Sequence, residues 1–241
     1  MALPMGNTPV YNIEIPSTKQ KLKFRPFLVK DQKALMLAQQ SEDPIVMIDT
    51  LKGIIKGCLV GEVEVENLST FDLEYIFLQM RAKSVGEQIE LLFKCDEDHG
   101  EEGNAKAKVK ININIDDIKC ESLEGHSNKI NLFGDVGIFM KYPSIDIIKK
   151  YQNGQTDDSD VAFAIISESI DYIYTNDEVF HSKDSTKEEL TEFVNNLTTD
   201  QFAKVQTFFD TMPKVRYKIK YDCPVCSKHH ESNLEGIESF F

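Results

Sequence analysis

Tryptophan and long apolar runs are both absent from this sequence, and each absence excludes something. Without tryptophan the chain lacks one common anchor of protein interfaces and carbohydrate sites. The longest purely apolar run, residues 161–166, is far short of the roughly 20 residues that cross a bilayer. Residues 1–10 have neither the basic start nor the apolar segment of a secretory signal, so we expect none.

Positive charge is scarce as well. The 241 residues include 27 Lys and Arg against 40 Asp and Glu, which gives a formal net charge of −13. A protein that binds a nucleic-acid backbone usually presents a basic face, so this balance argues against that role and favours other proteins as partners. With 41% hydrophobic and 28% charged residues, the chain has the composition of a folded protein with a sizeable core.

The five cysteines are an odd number, which does not suit a disulfide framework in a chain without an export signal. Two of them form the segment Cys223-Pro-Val-Cys226, which has zinc-knuckle spacing. A tight turn after the first thiolate lets both sulfurs face one ion. Cys58 lies near a stripe of apolar residues at helical spacing, and we interpret it and Cys120 as buried thiols.

A tetrahedral zinc ion needs four ligands, so one Cys-x-x-Cys is half of a site. Cys95 and His99 are the predicted other half, because they lie within one polar turn between two strand-like segments. The four side chains would form a Cys₃His site that closes a long loop of chain and pins the C-terminal strand to the central hairpin. Four protein ligands leave no position for water, so we expect a structural zinc and not a catalytic one.

Other arrangements of these residues stay open. His229 or Cys120 could replace His99 as the fourth ligand, or Cys95 and His99 could be surface loop residues with no zinc bound. The pair of C-terminal cysteines could also serve a thiol oxidoreductase. Redox motifs of that kind stand at the start of a helix, however, and residues 227–230 begin no helical apolar pattern.

The hydrophobic periodicity predicts an α+β fold in four successive segments. An N-terminal hairpin with helices (residues 1–86) precedes a central antiparallel β region with the first ligand turn (87–143). A helical section (144–212) and a C-terminal strand with the zinc knuckle (213–241) follow. The strongest signal is the alternation of apolar and polar residues over 109–115, which is typical of a strand. We expect the segments to form one compact domain pinned by the zinc site.

Two predictions concern the second half of the chain. Apolar residues at positions 161, 165, 166, 170 and 173 predict a long helix over 158–174. Near the end, Leu234, Ile237 and Phe241 recur at about helical spacing. That spacing favours packing of Phe240 and Phe241 against the chain itself, although the two rings would also suit an apolar plug for a partner.

Catalytic motifs are not found. The sequence has no dinucleotide-binding glycine motif, no Walker loop, no nucleophile elbow and no His-Glu-x-x-His. His126 and His181 belong to no recognisable catalytic pattern, and we expect both at the surface. These observations predict a protein that is not an enzyme.

Several motifs carry a resemblance to a known family. They are the opening hairpin with Phe24-Arg-Pro-Phe27 and its following helix, the segment GIFMKYP at 137–143, and a Cys-Pro-x-Cys knuckle before the closing EGIESFF at 235–241. In order and spacing the whole chain resembles the baseplate hub subunit and hub assembly proteins of T4-like contractile-tailed bacteriophages. One difference is that members often carry a second Cys-x-x-Cys in the central hairpin, where this chain has Cys95 and His99.

The resemblance implies a non-enzymatic role in building the hub of the phage tail baseplate. It implies other tail and hub proteins as partners, and a location in the virion tail baseplate or, during assembly, in the host cytoplasm.

A zinc-ribbon adaptor that binds nucleic acid or a transcription complex is the alternative from another class. Its support is the interleaving of Arg216, Lys218 and Lys220 with Tyr217 and Tyr221. The net charge of −13 weighs against it.

Overall fold

The computed structural model describes residues 8–240 except 42, 62 and 153–157. These residues form two compact units. Unit 1 combines residues within 8–65, 71–121 and 214–240, and unit 2 combines Glu66–Thr70 with Ser122–Pro213. The four segments expected from the sequence are successive stretches of chain, whereas the units group residues by contact. The C-terminal segment thus belongs to the same unit as the central hairpin.

Helices and strands are interspersed along the described chain. The first ten elements are β1 (Tyr11–Glu14), β2 (Lys21–Phe24), α1 (Val29–Ser41), α2 (Pro44–Cys58), β3 (Leu59–Val60), α3 (Thr70–Ser84), β4 (Gln88–Lys94), α4 (Gly100–Lys106), β5 (Lys108–Asn114) and β6 (Lys119–Glu121). The others are β7 (Lys129–Phe133), β8 (Val136–Met140), α5 (Ile145–Gln152), α6 (Asp158–Glu168), β9 (Ile170–Tyr174), β10 (Val179–His181), α7 (Lys187–Asn195), α8 (Thr199–Thr211), β11 (Lys214–Asp222) and β12 (His229–Glu235). No helix in the described ranges is both long and apolar enough to span a bilayer.

The strands form small antiparallel sheets, and the predicted α+β class is confirmed. Unit 1 contains the sheets β1-β2-β3, β4-β5 and β12-β11-β6, and unit 2 contains β10-β9-β8-β7. The alternation in β5 has the expected effect, because Ile113 lies opposite Ile89 and Ile111 opposite Leu91 across the β4-β5 pair. This places the apolar side chains of both strands on one face.

Side-chain caps fix where several helices begin. Asp43 accepts a hydrogen bond from the Ile45 N–H at 2.8 Å at the start of α2. At α7, the Thr186 hydroxyl accepts from the Glu189 N–H at 3.2 Å, and the Glu189 carboxylate accepts from the Thr186 N–H at 2.7 Å. Such reciprocal caps satisfy helix N–H groups that have no partner within the helix.

The core of unit 1 joins the central hairpin to the C-terminal strands. Its buried members are Leu78, Ala82, Ile89, Ile113, Ile115, Ile118, Val215, Ile219, Leu234 and Phe240. Phe240 is fully buried, which confirms packing of this ring against its own chain and not an exposed plug. Phe241 lies outside the described residues.

The helical spacing predicted near the C-terminus is wrong. Residues 229–235 are strand β12, and Ile237–Phe240 is a short 3₁₀ turn. Pairing with β11 explains the difference, since Leu234 lies opposite Tyr217 in a ladder that continues to Asp222 and His229. A cross-strand ladder of this kind cannot be read from spacing within one segment.

The predicted helix over 158–174 is also wrong in its second half. Helix α6 ends at Glu168, and Ile170–Tyr174 forms strand β9. The buried Ser169 closes the helix, because its hydroxyl and its N–H both donate to the Ile165 carbonyl. The residues beyond it are mostly β-branched or aromatic and pair with β8, with Ile173 opposite Ile138.

Unit 2 builds its core between its four-stranded sheet and helices α6, α7 and α8. The buried members are Ile130, Leu132, Ile138, Met140, Ile166, Ile170, Leu190, Val194, Val205 and Phe208. His126, expected at the surface, is half-buried and bonded on both ring nitrogens, to Thr211 and Tyr142 at 2.9 Å each. His181 is exposed.

Candidate metal centre

The first ligand turn lies at the far end of the β4-β5 hairpin. The sequence predicts a polar loop over 95–104, but the segment includes helix α4. Asp98 Oδ1 accepts hydrogen bonds from the Gly100 N–H and from Asn104 Nδ2, each at 2.9 Å, and Asn104 Oδ1 accepts from the His99 N–H at 2.9 Å. Gly100 has φ +71°, a conformation that glycine adopts without strain. These bonds fix the backbone that carries Cys95 and His99.

The second ligand turn connects β11 to β12. The Cys223 N–H donates to the Lys228 carbonyl and the Ser227 N–H donates to the Cys223 carbonyl, each at 2.9 Å. Ser227 adopts φ +58°, which closes the turn. The Val225 N–H points at the Cys223 sulfur, 3.4 Å away. A backbone donor directed at a thiolate stabilises its negative charge.

The two turns bring their four side chains to one place. Cys95 Sγ lies 3.8 Å from Cys226 Sγ, and Cys223 Sγ lies 3.6 Å from His99 Nε2. One ligand atom from each of the four residues lies within 4.8 Å of all the others. Zinc–sulfur bonds of about 2.3 Å and zinc–nitrogen bonds of about 2.0 Å place tetrahedral ligand atoms roughly 3.5 to 3.8 Å apart. The cluster could therefore hold a tetrahedral metal ion.

The other cysteines and His229 lie outside this group. Burial raises the pKa of Cys58 to about 11 and that of Cys120 to about 12, so both are protonated thiols. Cys58 is fully buried as expected, whereas Cys120 is half-buried in β6 opposite Val215. His229 Nδ1 lies 2.8 Å from Asp222 Oδ1 on the exposed side of the hairpin. Neither Cys120 nor His229 is among the clustered ligand atoms of the described chain.

Two thiols of the cluster, those of Cys223 and Cys95, differ in their pKa. Burial alone would raise the pKa of Cys223, but hydrogen bonds from the N–H groups of Cys226 and Val225 and from the thiols of Cys226 and Cys95 together outweigh it and lower the pKa to about 6. Burial raises the pKa of the Cys95 thiol. The Cys223 sulfur is thus the one that the polypeptide itself prepares as a thiolate, the form that binds metal.

His230 lies next to this cluster, and it is not among the site residues predicted from the sequence. Its Nε2 lies 3.3 Å from Cys95 Sγ, and its ring stacks on Tyr221 at a centroid distance of 4.9 Å. Strand alternation is the signal that could have found it, because His229 and His230 must point to opposite faces of β12. The position of Tyr221 opposite His230 depends on the β11-β12 register.

An ion pair also joins the two turns. Lys228 Nζ lies 2.6 Å from Glu97 Oε1, and both side chains are about half exposed. An exposed pair of this kind contributes about 0 to 1 kcal/mol, so it orients the turns more than it holds them together.

Comparison with known protein families finds a match that covers nearly the whole chain. The family model described as T4 bacteriophage base plate protein matches residues 8–241. No match was found among curated proteins or among solved structures. On the strength of that full-length match, the chain belongs to the T4 bacteriophage base plate protein family.

Proposed function

We propose that this protein is a non-enzymatic structural or assembly component of the baseplate hub, with a structural zinc ion bound by its Cys/His cluster. Membership of the baseplate family supports a structural place in the phage tail. The likeness of residues 137–143 and 235–241 to hub subunits and hub assembly proteins supports the narrower assignment to the hub. The partners are then other tail and hub proteins, in the virion or in the host cytoplasm during assembly.

The convergence of the four ligand atoms is the observation that carries the zinc proposal. Cys95 and Cys226 are 131 positions apart in the chain, yet their sulfurs lie 3.8 Å from each other. Zinc bound there would fasten the end of the β4-β5 hairpin to the turn between β11 and β12. Three thiolates and one imidazole complete a tetrahedron, which leaves no position for a reacting water. The chemistry supplied by the ion is therefore cross-linking.

The nucleic-acid alternative has less support in the structure than in the sequence. The cations of β11 that suggested it are engaged with acidic residues of β12. Lys218 and Lys220 pair with Glu231, and Arg216 pairs with Glu235 at 3.1 Å. A phosphate backbone would have to compete with these carboxylates for the same cations.

The thiol oxidoreductase alternative also has less support. In redox motifs the first cysteine gains its low pKa at the start of a helix. Here Cys223 and Cys226 stand in a turn between two antiparallel strands, and β12 follows them. The Cys226 sulfur has Cys95 as a neighbour in a Cys/His group with metal-ligand geometry.

Metal analysis of the purified protein tests the zinc half of the proposal. We expect about one zinc per chain, with that zinc lost in Cys223→Ser and retained in Cys120→Ser. Cys120 is the matched control, because it is a cysteine of the same unit that lies outside the cluster. A metal-free wild-type protein, prepared without chelator, would contradict the zinc site.

Deletion of the gene from the phage tests the proposed role in the baseplate hub. We expect baseplate assembly to stall before a complete hub forms, with infectivity restored by the wild-type gene. Normal baseplates in the deletion strain would contradict the proposed hub role. Mass spectrometry of purified virions then separates a hub component, which is present in the particle, from an assembly factor, which is absent.

A further inference from the structure

We infer that His230 is a positioning residue that donates a hydrogen bond from Nε2 to the Cys95 sulfur and thereby slows release of the bound metal. The inference rests on the proposed zinc site, and it assigns to this site a fifth side chain that coordinates nothing. The metal ligands alone do not require His230, because the four of them complete a tetrahedron.

The donor geometry is direct. His230 Nε2 lies 3.3 Å from Cys95 Sγ, a short distance for a hydrogen bond to sulfur, whose radius exceeds that of oxygen. The other ring nitrogen, Nδ1, lies 3.6 Å from Asp96 Oδ2, which is too long for a direct hydrogen bond. Of the two ring nitrogens, Nε2 is therefore the one within hydrogen-bond distance of a partner, and that partner is the Cys95 sulfur.

The ring is held in this orientation by groups that are not metal ligands. Tyr221 stacks on it with an interplanar angle of 12°, and the Tyr221 hydroxyl donates to the Lys94 carbonyl at 2.9 Å. Lys94 immediately precedes Cys95, so the tyrosine ties the imidazole to the same piece of backbone that carries the sulfur. His230 is only 7% exposed, and this burial removes most competition from water.

The charge of the loaded site explains what such a donor does. Three thiolates and a neutral imidazole around a doubly charged ion leave one net negative charge, which is spread over the sulfurs. Cys223 has the Val225 N–H directed at its sulfur, and Cys226 is the exposed member of the set. The His230 N–H provides Cys95 with a buried donor of its own. Outer donors of this kind typically change metal affinity by about 10- to 100-fold.

The sulfur that loses its donor becomes more basic and more nucleophilic. The bond between Cys95 and the metal would then open more readily, and alkylating reagents would react with this sulfur sooner. The effect should be local to Cys95, because His230 is placed against that sulfur.

Three variants separate the N–H group from the ring. His230→Phe keeps a ring to stack on Tyr221 and removes the donor, whereas His230→Gln restores an N–H at similar reach. His229→Phe is the matched control, because it replaces the neighbouring exposed histidine, which pairs with Asp222 on the other face. Circular dichroism confirms that each variant is folded. Zinc transfer to a chromophoric chelator then gives the release rate, and mass spectrometry gives the alkylation rate of each cysteine.

We expect release about 10-fold faster in His230→Phe, with faster alkylation at Cys95, and rates close to wild type in His230→Gln and His229→Phe. A wild-type release rate in His230→Phe overturns the inference while leaving the zinc site intact. Equal acceleration in His230→Gln overturns the donor role, because an N–H group restored at this position would then not slow release. A wild-type chain that binds no zinc removes the proposed site and this inference with it.

The wild-type protein offers a check that needs no variant. A proton held between His230 Nε2 and the sulfur should exchange slowly with water in proton–nitrogen NMR spectra of the zinc-loaded chain. A ring whose Nε2 proton exchanges as fast as that of the exposed His229 would overturn the inference, even if His230→Phe failed to fold.

Discussion

The two units of this protein build their hydrophobic cores from different parts of the chain. Unit 2 is built almost entirely from one continuous stretch, Ser122–Pro213, and its four-stranded sheet packs against helices of the same stretch. Unit 1 is assembled from three separate parts of the chain and contains sheets of only two and three strands. A sheet that small covers little apolar surface, so it needs support from another source.

Burial along the central hairpin shows where that support is needed. At its base Ile89 and Ile113 are buried, whereas Leu91 and Phe93, on the same face and closer to the tip, are half-buried. Between 95 and 106 no described side chain is fully buried, Cys95 and His99 are half-buried, and the next buried residue is Ala107, just before β5. Unit 2 packs its sheet against three helices, whereas the end of the central hairpin in unit 1 has few buried side chains and, on the proposed zinc site, would depend on its Cys/His cluster.

Loss of the proposed metal should produce the largest difference in stability between the two units. In Cys223→Ser, or after chelation of the wild type, we expect unit 1 to lose on the order of 5 to 10 kcal/mol of stability, because binding free energy at a structural zinc site is folding free energy. Hydrogen exchange of individual amides is the measurement. Protection should fall in β4, β5, β11 and β12 and stay unchanged in the sheet of unit 2.

Cys120→Ser is the control for that experiment, since its thiol is protonated and lies outside the cluster. It should keep the protection of both hairpins in the presence of zinc. Equal loss of protection in the two units after chelation would refute the idea that only unit 1 depends on the metal.

The reverse experiment removes apolar packing from unit 2. Phe208 is 2% exposed and its ring lies 5.5 Å from that of Tyr142 and 5.1 Å from that of Phe209. Phe208→Ala should destabilise unit 2 by about 3 to 5 kcal/mol through lost burial and the cavity left behind. Urea unfolding followed by hydrogen exchange measures this loss, which should be the same with and without zinc.

Phe209→Ala is the neighbouring control. Because the Phe209 ring is only half-buried, its loss should lower the free energy of unfolding less than Phe208→Ala does. If zinc removal increased the effect of Phe208→Ala, the two cores would be energetically coupled and the comparison between them would fail.

The same contrast explains which features could be predicted from the sequence. The four clustered residues belong to two short spacings, Cys95 to His99 and Cys223 to Cys226, and each spacing is set by a single turn. Local spacing therefore sufficed to find them, although the metal itself is a proposal. The alternation over 109–115 likewise located β5, because period two is a property of one strand.

Features that depend on pairing between distant segments could not be found in this way. The apolar residues at 170 and 173 have helical spacing, yet they lie in a strand because β8 pairs with Tyr172 and Ile173. His230 gains its place beside Cys95 from a ladder in which it lies opposite Tyr221. Register is fixed by tertiary contacts, so a spacing argument within one segment does not reach it.

The smallest expected effect is the change in stability at low pH, which should arise from different titrating groups in the two units. In unit 1, acid would release the proposed metal, because protons compete with it for its ligands. In unit 2, one half-buried titrating group is His126, which lies 2.9 Å from both Thr211 Oγ1 and Tyr142 Oη. Burial lowers the pKa of His126 below its ordinary value of 6.5. Unit 2 therefore keeps this imidazole neutral in a range where the unfolded chain already protonates it.

The sign of the pH effect follows from that difference. Between 6.5 and the lower folded pKa, the unfolded state binds more protons, so the free energy of unfolding of unit 2 falls as the pH falls through this range. His126→Phe keeps the ring beside Phe208 and cannot titrate, so this part of the pH dependence should disappear. His181→Phe, a change of an exposed histidine in the same unit, should retain it. Exchange protection of β8 and α8, corrected for intrinsic rates at each pH, measures the slope. An unchanged slope in His126→Phe would mean that another group sets the acid response of unit 2.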